Sequence, residues 1–415
     1  MSSKRSNQTS DDSSHKRVKA ITFDGILKVI KLGTDEDFQE LLTQGLIPTI
    51  NMINESGETL LMVMCLSSFL RGVKLLIDHG ADVNVADPQG NSAFILACRN
   101  FRDYSKKECS EIIKLLVVKG AGINSSCTFP SVVRSYREGT ALFEACLKNR
   151  LDVISLLLEL GVEFNSTVQN PLIEACSMRS LPLVRLLLSH GADINMRAGN
   201  NQTSLGVASR LNYDDIVTVL LDSGADMSIL CSASDYAHDT QLSTPLSVAC
   251  EKGHLSTVKL LIARGADVNQ GGTKSPLVTA CSQMYPKIVK YLLENGADVD
   301  ESAKVRGFNP LMSTVASHNG RAMIKLLLEY GADINVECEE FFFTGCPLSF
   351  ADHLQRRSNI KFLLKCGADL YREDGVTSCL HADGLIARDR KMAAFAKRYE
   401  EVNKRANREV KPLLK

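Results

Sequence analysis

Ten glycines, each closing an apolar helical pattern, constrain this chain more than any other feature. Gly-Ala-Asp followed by a hydrophobic residue recurs at Gly80, Gly191, Gly224, Gly265, Gly296, Gly331 and Gly367, and degenerate versions start at Gly45, Gly120 and Gly161. Their separations are 35, 40, 41, 30, 33, 41, 31, 35 and 36 residues. A period of about 33 residues with occasional insertions means stacked supersecondary units, each too small to bury its apolar side alone. Before each glycine runs a pattern such as Ile288-Val289-Lys290-Tyr291-Leu292-Leu293, whose apolar residues recur three and four apart, as on one face of a short helix. Glycine just past the last periodic residue takes the left-handed conformation that ends a helix and turns the chain.

A second signal follows about ten to fifteen residues later. Thr244-Pro245-Leu246, Ser275-Pro276-Leu277, Asn309-Pro310-Leu311 and Asn170-Pro171-Leu172 read as helix starts, as do Thr140-Ala141-Leu142 and Thr203-Ser204-Leu205 without proline. The polar residue caps open amides, and proline suits a first turn that needs no donor. Pro171, Pro182, Pro245, Pro276, Pro286, Pro310 and Pro347 all fall at such starts, seven of the eleven prolines in the chain.

The unit is therefore helix, turn, helix, glycine, loop. It resembles the ankyrin repeat, whose Thr-Pro-Leu-His-x-Ala start and Gly-Ala-Asp-Val-Asn finish are matched in register over residues 22–385. The resemblance implies an all-α solenoid of about eleven helix-turn-helix units, caps included, with finger-like hairpin loops and a concave surface that holds a partner protein. Residues 24–45 read as the N-terminal cap, and Ser378-Cys379-Leu380-His381-Ala382 with the charged stretch after it as the C-terminal cap. The family's His after Leu is absent from nearly every unit, replaced for example by Phe143, Gly206 and Ser247 and present only at His381, so bonding through it cannot tie the fingers together.

Domain organisation follows: residues 1–19 a polar basic tail, 20–385 the solenoid, 386–415 a basic capping helix and tail. No apolar run approaches the roughly 18 residues a membrane span needs, and the N-terminus has no apolar core of a secretion signal. The expectation is a soluble protein inside the cell. Its 13 cysteines then read as reduced thiols. Six of them, Cys65, Cys98, Cys146, Cys176, Cys250 and Cys281, share one slot on the first helix of their units, suited to tight packing. No Cys/His spacing suits zinc, and no phosphate loop, nucleophile elbow or paired-carboxylate motif is present. Neither an enzyme nor a cofactor is expected. His79 and His190 precede helix-ending glycines and read as caps on the last carbonyls. The recurring Asp and the asparagines Asn84, Asn195, Asn269 and Asn335 read as turn residues. Within the family such asparagines can be hydroxylated, and Leu261 with Asp267-Val268-Asn269 matches that spacing.

Three insertions, residues 125–138, 229–243 and 336–345, lengthen fingers and are the places where a partner would bind. Phe341, Phe342 and Phe343 beside Glu339 and Glu340 fit either an interface anchor rimmed by charge or aromatic packing on the adjacent finger. Tyr136 with Arg137 and Tyr236 with His238 are weaker candidates. Asp87, at a tip of ordinary length, fits a partner contact or a solvated turn.

The chain's 48 Lys+Arg balance its 48 Asp+Glu, but not evenly. Residues 1–19 carry five basic and two acidic side chains, net +3, and residues 386–415 ten and four, net +6, leaving −9 between them. A mildly acidic solenoid favours a basic protein segment as partner. Lys4-Arg5 and Lys16-Arg17-Val18-Lys19, ten residues apart, look like a bipartite nuclear-import signal for an import receptor, giving a nuclear and cytoplasmic distribution. Nucleic acid is a weaker partner, because the basic C-terminal stretch also carries Glu400, Glu401 and Glu409 and has few aromatics. The function expected is a non-enzymatic scaffold or adaptor. The alternative is a substrate-recruiting or regulatory subunit of a ubiquitin ligase, phosphatase or kinase, for which residues 386–415 show no docking motif.

Overall fold

The computed structural model describes residues 22–101, 106–133, 136–166, 169–232, 242–301, 309–340, 343–369, 385–398 and 401. It forms two compact units, Met1–Glu163 and Phe164–Lys415. In the first, α1 (Phe23–Leu32) pairs with α2 (Asp35–Thr43), α3 (Leu60–Leu66) with α4 (Leu70–Asp78), α5 (Ala93–Arg99) with α6 (Lys106–Val118) and α7 (Ala141–Leu147) with α8 (Leu151–Glu159). A hairpin of β1 (Ser126–Val133) and β2 (Tyr136–Thr140) precedes α7.

The second unit continues the pattern. Here α9 (Pro171–Ser177) pairs with α10 (Leu181–Ser189), α11 (Ser204–Arg210) with α12 (Asp214–Asp222), and α13 (Pro245–Lys252) with α14 (Leu255–Ala263). Then α15 (Pro276–Ser282) pairs with α16 (Pro286–Glu294), α17 (Pro310–Val315) with α18 (Arg321–Glu329), and α19 (Pro347–His353) with α20 (Arg357–Lys365). The strands β3 (Cys231–Ser232) and β4 (Leu242–Ser243) precede α13, β5 (Cys338–Glu340) and β6 (Phe343–Gly345) precede α19, and α21 (Leu385–Arg388) opens the C-terminal stretch. Residues 390–398 are again helical.

Within each unit the odd-numbered helices stack on one another, from α3 to α7 and from α9 to α19, and the even-numbered ones form a second layer. The interior is built from side chains such as Leu142, Val153, Leu246, Val258, Leu277 and Leu292, all at most 2% exposed. Among the described residues, ten helix pairs and a terminal helical cap match the expected eleven repeats.

Local chemistry sets the boundaries. The side chains of Thr59, Thr140, Thr203, Thr244, Ser275 and Asn309 each accept the N–H three residues on, closing a helix start. The seven expected prolines all occupy the first or second position of a helix. All ten periodic glycines have positive φ, from +63° to +100°. Among the described residues, the turns inside seven of the pairs have a left-handed residue that the sequence did not announce: Ser68, Asn149, Arg179, Asn212, Met284 and Gln355 sit at φ +51° to +61°, and between α13 and α14 the place is taken by glycine, Gly253.

The six cysteines of the shared slot are all buried. Ser209 occupies that slot in α11, is 0% exposed, and its hydroxyl has no hydrogen-bond partner among the described residues. At the C-terminal end Asp352, buried on α19, accepts the Ile386 N–H at 2.5 Å. Arg357 bonds Asp389 at 2.8 Å, and Ile386, Met392 and Ala396 are buried, so this segment covers the last helix pair. The residues 378–382 assigned to the cap lie outside the described set.

Candidate partner-binding fingers

Where a finger starts at Gly-Ala-Asp, the carboxylate bonds its own loop. Asp82, Asp193, Asp267 and Asp333 accept the N–H two residues on at 2.9–3.0 Å. This is the local turn bonding expected of them. The asparagines do more. Asn51 accepts the Asp82 N–H at 2.9 Å, and Asn84 accepts the Gly122 N–H at 2.8 Å while donating to the Gly120 carbonyl. Asn124 accepts from Glu163. In the second unit Asn165, Asn195, Asn269 and Asn335 accept the N–H of Asp193, Asp226, Asp298 and Asp369 at 2.9–3.0 Å. Each asparagine is therefore a rung between consecutive turns, and this ladder ties the fingers where the family's histidine is missing.

Two rungs differ. Ser228 takes the asparagine place after Asp226 and, among the described residues, bonds back to that residue alone. Asp300 accepts the Asp333 N–H at 3.1 Å with both oxygens but has no proton for the Gly331 carbonyl. Partial burial and the neighbouring Asp333 and Asp298 push its carboxyl above the usual range, against the Asp333 N–H bond that lowers it.

The three insertions are all paired as antiparallel strands at their roots, on one plan. Cys127, Cys231 and Cys338 lie seven residues past Gly120, Gly224 and Gly331, and pair with Gly139, Ser243 and Gly345, the residue before the next helix cap. The Cys127 thiol donates to the Gly139 carbonyl at 3.5 Å and that of Cys231 to Ser243 at 3.3 Å. Cys231 is 0% exposed and fits only because α11 has Gly206 beneath it: a Cβ there would stand 2.4 Å from the Cys231 Sγ. The recurring offset of seven residues was present in the sequence and would have revealed the shared root.

Roots are zipped to their neighbours by backbone bonds. Thr128 N–H donates to Gln89 O at 2.8 Å, Ser232 N–H to Asn201 O at 3.0 Å, and Thr273 N–H to Leu242 O at 3.1 Å. In the first unit a buried ion pair adds to this: Arg99 Nε lies 3.0 Å from both oxygens of Glu144, Lys148 Nζ lies 2.8 Å from Oε1, and Arg99 Nη2 reaches the Cys127 Sγ at 3.6 Å.

Of the expected contact residues, Asp87 is described in full. It is 9% exposed, and its carboxylate accepts the N–H of Gln89 and Asn91 and the Asn91 side-chain amide at 2.8–2.9 Å. Its side chain closes its own finger, while Gln89 beside it is exposed. Tyr136 and Arg137 lie on β2, with Tyr136 opposite Val133. Glu339 and Glu340 lie on β5 and Phe343 on β6, with Glu340 opposite Phe343. Phe341, Phe342, Tyr236 and His238 lie outside the described residues, as do Lys4, Arg5, Lys16, Arg17 and Lys19.

Burial pushes the Cys231 thiol up to about 11 and those of Cys65, Cys98, Cys176, Cys250 and Cys281 higher still. A nucleophilic cysteine needs the opposite shift. Both predicted capping histidines bond helix-end carbonyls, His79 to Leu75 at 2.8 Å and His190 to Leu186 at 3.0 Å. Among the described residues no group of three or more His, Cys, Asp or Glu is placed to hold a metal ion, and no helix is long and apolar enough to cross a membrane.

The family model for ankyrin repeats in three copies matches residues 26–127, 101–198, 168–231 and 228–303, and that for a single ankyrin repeat matches 306–339. Over 78% of its length the chain is 28% identical to an ankyrin repeat and KH domain-containing protein of Caenorhabditis briggsae. Over 47% it is 27% identical to the ankyrin repeat and KH domain-containing protein mask-1 of Caenorhabditis elegans, and over 26% it is 29% identical to an ankyrin repeat protein of Acanthamoeba polyphaga mimivirus. These matches take in only 13%, 6% and 21% of the three relatives.

Proposed function

The chain belongs to the ankyrin-repeat family, whose members are protein-interaction modules and as a rule not enzymes, and on that premise we propose that it is an adaptor whose long fingers grip a partner protein. The observation that carries this is the shared construction of the three hairpins. Each is paired at its root, and the first two are also bonded to a neighbouring finger. A root held in this way fixes where the finger leaves the helices, which lowers part of the ordering cost that a partner would meet.

Within this reading Phe341, Phe342 and Phe343 with Glu339 and Glu340 are the anchor, and Tyr136, Arg137, Tyr236 and His238 contribute from the other two fingers. The net −9 of residues 20–385 favours a basic partner segment. Lys4, Arg5, Lys16, Arg17 and Lys19 would be read by an import receptor and bring the protein to the nucleus as well as the cytoplasm.

Affinity purification with the intact chain and with a Phe341→Ala/Phe342→Ala/Phe343→Ala variant tests the binding claim. Proteins retained by the first and lost by the second are expected; identical eluates would remove the anchor. Lys16→Ala/Arg17→Ala/Lys19→Ala should shift the protein toward the cytoplasm, and an unchanged distribution would remove the import reading.

A further inference from the structure

The even-numbered helices present a row of exposed cations at their fifth position, Lys259 on α14, Lys290 on α16, Lys325 on α18 and Lys361 on α20. In α16 and α18 a glutamate one turn on answers the charge: Lys290 stands 3.7 Å from Glu294 and Lys325 3.4 Å from Glu329. In α20 that place holds Lys365 instead, so Lys361 and Lys365 share a face with no acid between them. The helical cap adds to this charge. Lys361 Nζ lies 5.7 Å over the ring of Phe395, and on the helix 390–398 Lys391 and Arg398 flank that ring at four and three residues' distance, on the face turned toward α20. All four cations are exposed, and none has a counter-ion among the described residues.

Four like charges on α20 and the helix that lies against it repel one another unless something else uses them. The nearby Arg357 shows the alternative, since its charge is taken by Asp389. We propose that Lys361, Lys365, Lys391 and Arg398, around the half-buried Phe395, form a second docking surface, which takes an acidic segment of a partner protein. The proposal rests on the reading of the chain as a protein-binding adaptor and adds a surface on the helical layer away from the finger turns. The patch is short because the glutamates of α16 and α18 end it. A run of a few Asp or Glu side chains matches its size, whereas a nucleic-acid backbone would use a longer track, and single strands an exposed aromatic platform. Phe395 instead lies half-buried beneath Lys361.

The test is fluorescence anisotropy of the full chain with a labelled peptide of four Glu-Glu-Leu-Glu repeats, beside a 20-nucleotide single-stranded RNA and a 20-base-pair DNA duplex. The peptide should bind, more weakly as salt rises. Lys365→Glu, which restores the pairing of α16 and α18, should weaken it about tenfold, and Lys391→Glu/Arg398→Glu by more. Lys325→Ala, in a row already neutralised, should leave affinity within about twofold. Circular dichroism confirms that these exposed substitutions leave the fold intact. Peptide affinity unchanged by Lys365→Glu and by the double variant overturns the proposal. Oligonucleotide binding tighter than peptide binding and lost in the same variants overturns it too, in favour of a nucleic-acid surface. The triple alanine variant at Phe341–Phe343 should keep full peptide affinity, so failure of the finger reading and failure of this one are told apart.

Discussion

Asp300→Asn should stabilise the second unit, and the ladder of rungs gives the size. Asn269, at the same place one repeat earlier, accepts the Asp298 N–H at 2.9 Å and also donates to the Gly296 carbonyl at 3.2 Å. Asp300 makes only the first kind of bond, to the Asp333 N–H at 3.1 Å. An amide at position 300 adds a donor toward the Gly331 carbonyl, contributing about 1 kcal/mol. It also removes a charge set between Asp298 and Asp333, which with burial raises the Asp300 carboxyl above its ordinary value. A carboxyl raised on folding stabilises the fold while protonated, and that contribution is lost as pH rises through its folded value. The wild type therefore bears the full penalty at neutral pH and sheds it on acidification. The gain from Asn should be largest near pH 7 and should fall toward zero below the ordinary carboxylate range, where a protonated Asp300 has its own proton for the Gly331 carbonyl. Stacked repeats open piecewise, so the suitable assay is native-state hydrogen exchange at the Asp333 amide, where 1 kcal/mol slows exchange about fivefold. Unchanged or faster exchange at pH 7, or a gain that grows in acid, would refute the ladder argument.

Other substitutions probe other parts of the fold. Ser209→Cys replaces a buried hydroxyl without a partner by the residue found in six sister positions, and should raise the urea midpoint by the equivalent of about 1 kcal/mol. Met284→Gly relieves a left-handed residue at φ +61° and should add about 0.5–1 kcal/mol in thermal melts. Gly253→Ala, in the corresponding turn, should destabilise, because its Cβ would stand 2.7 Å from the Tyr285 ring at φ +79°. Gly206→Ile overfills the space under Cys231 and should cost about 1–3 kcal/mol, with faster proteolysis between Cys231 and Ser243.

What could be read in the sequence was whatever a residue does to its own neighbourhood. Gly265 ends a helix and Pro276 starts one through their own backbone torsions, so their spacing alone gave the repeat, its count and its boundaries. Asn269 looked like a turn residue because its turn is in the sequence around it, whereas the amide it accepts belongs to Asp298, 29 residues on. Asp87 looked like an exposed tip until three bonds from Gln89 and Asn91 occupied its carboxylate. Met284 and Arg179 gave no sign of their left-handed torsions, since nothing in their chemistry favours them; the helix pair imposes the turn. Gly206 was noted for the histidine it lacks, and its use, room for the thiol of Cys231, is visible only in three dimensions.

The backbone zipper at the hairpin roots has an engineering consequence. Since Ser232 and Leu242 bond to Asn201 and Thr273 in flanking loops, load on the intervening stretch passes sideways into adjacent turns before it reaches the helices. Residues 233–241 could then be exchanged wholesale for foreign recognition sequences while the frame beneath stays folded, so specificity can be rewritten in this scaffold separately from its stability.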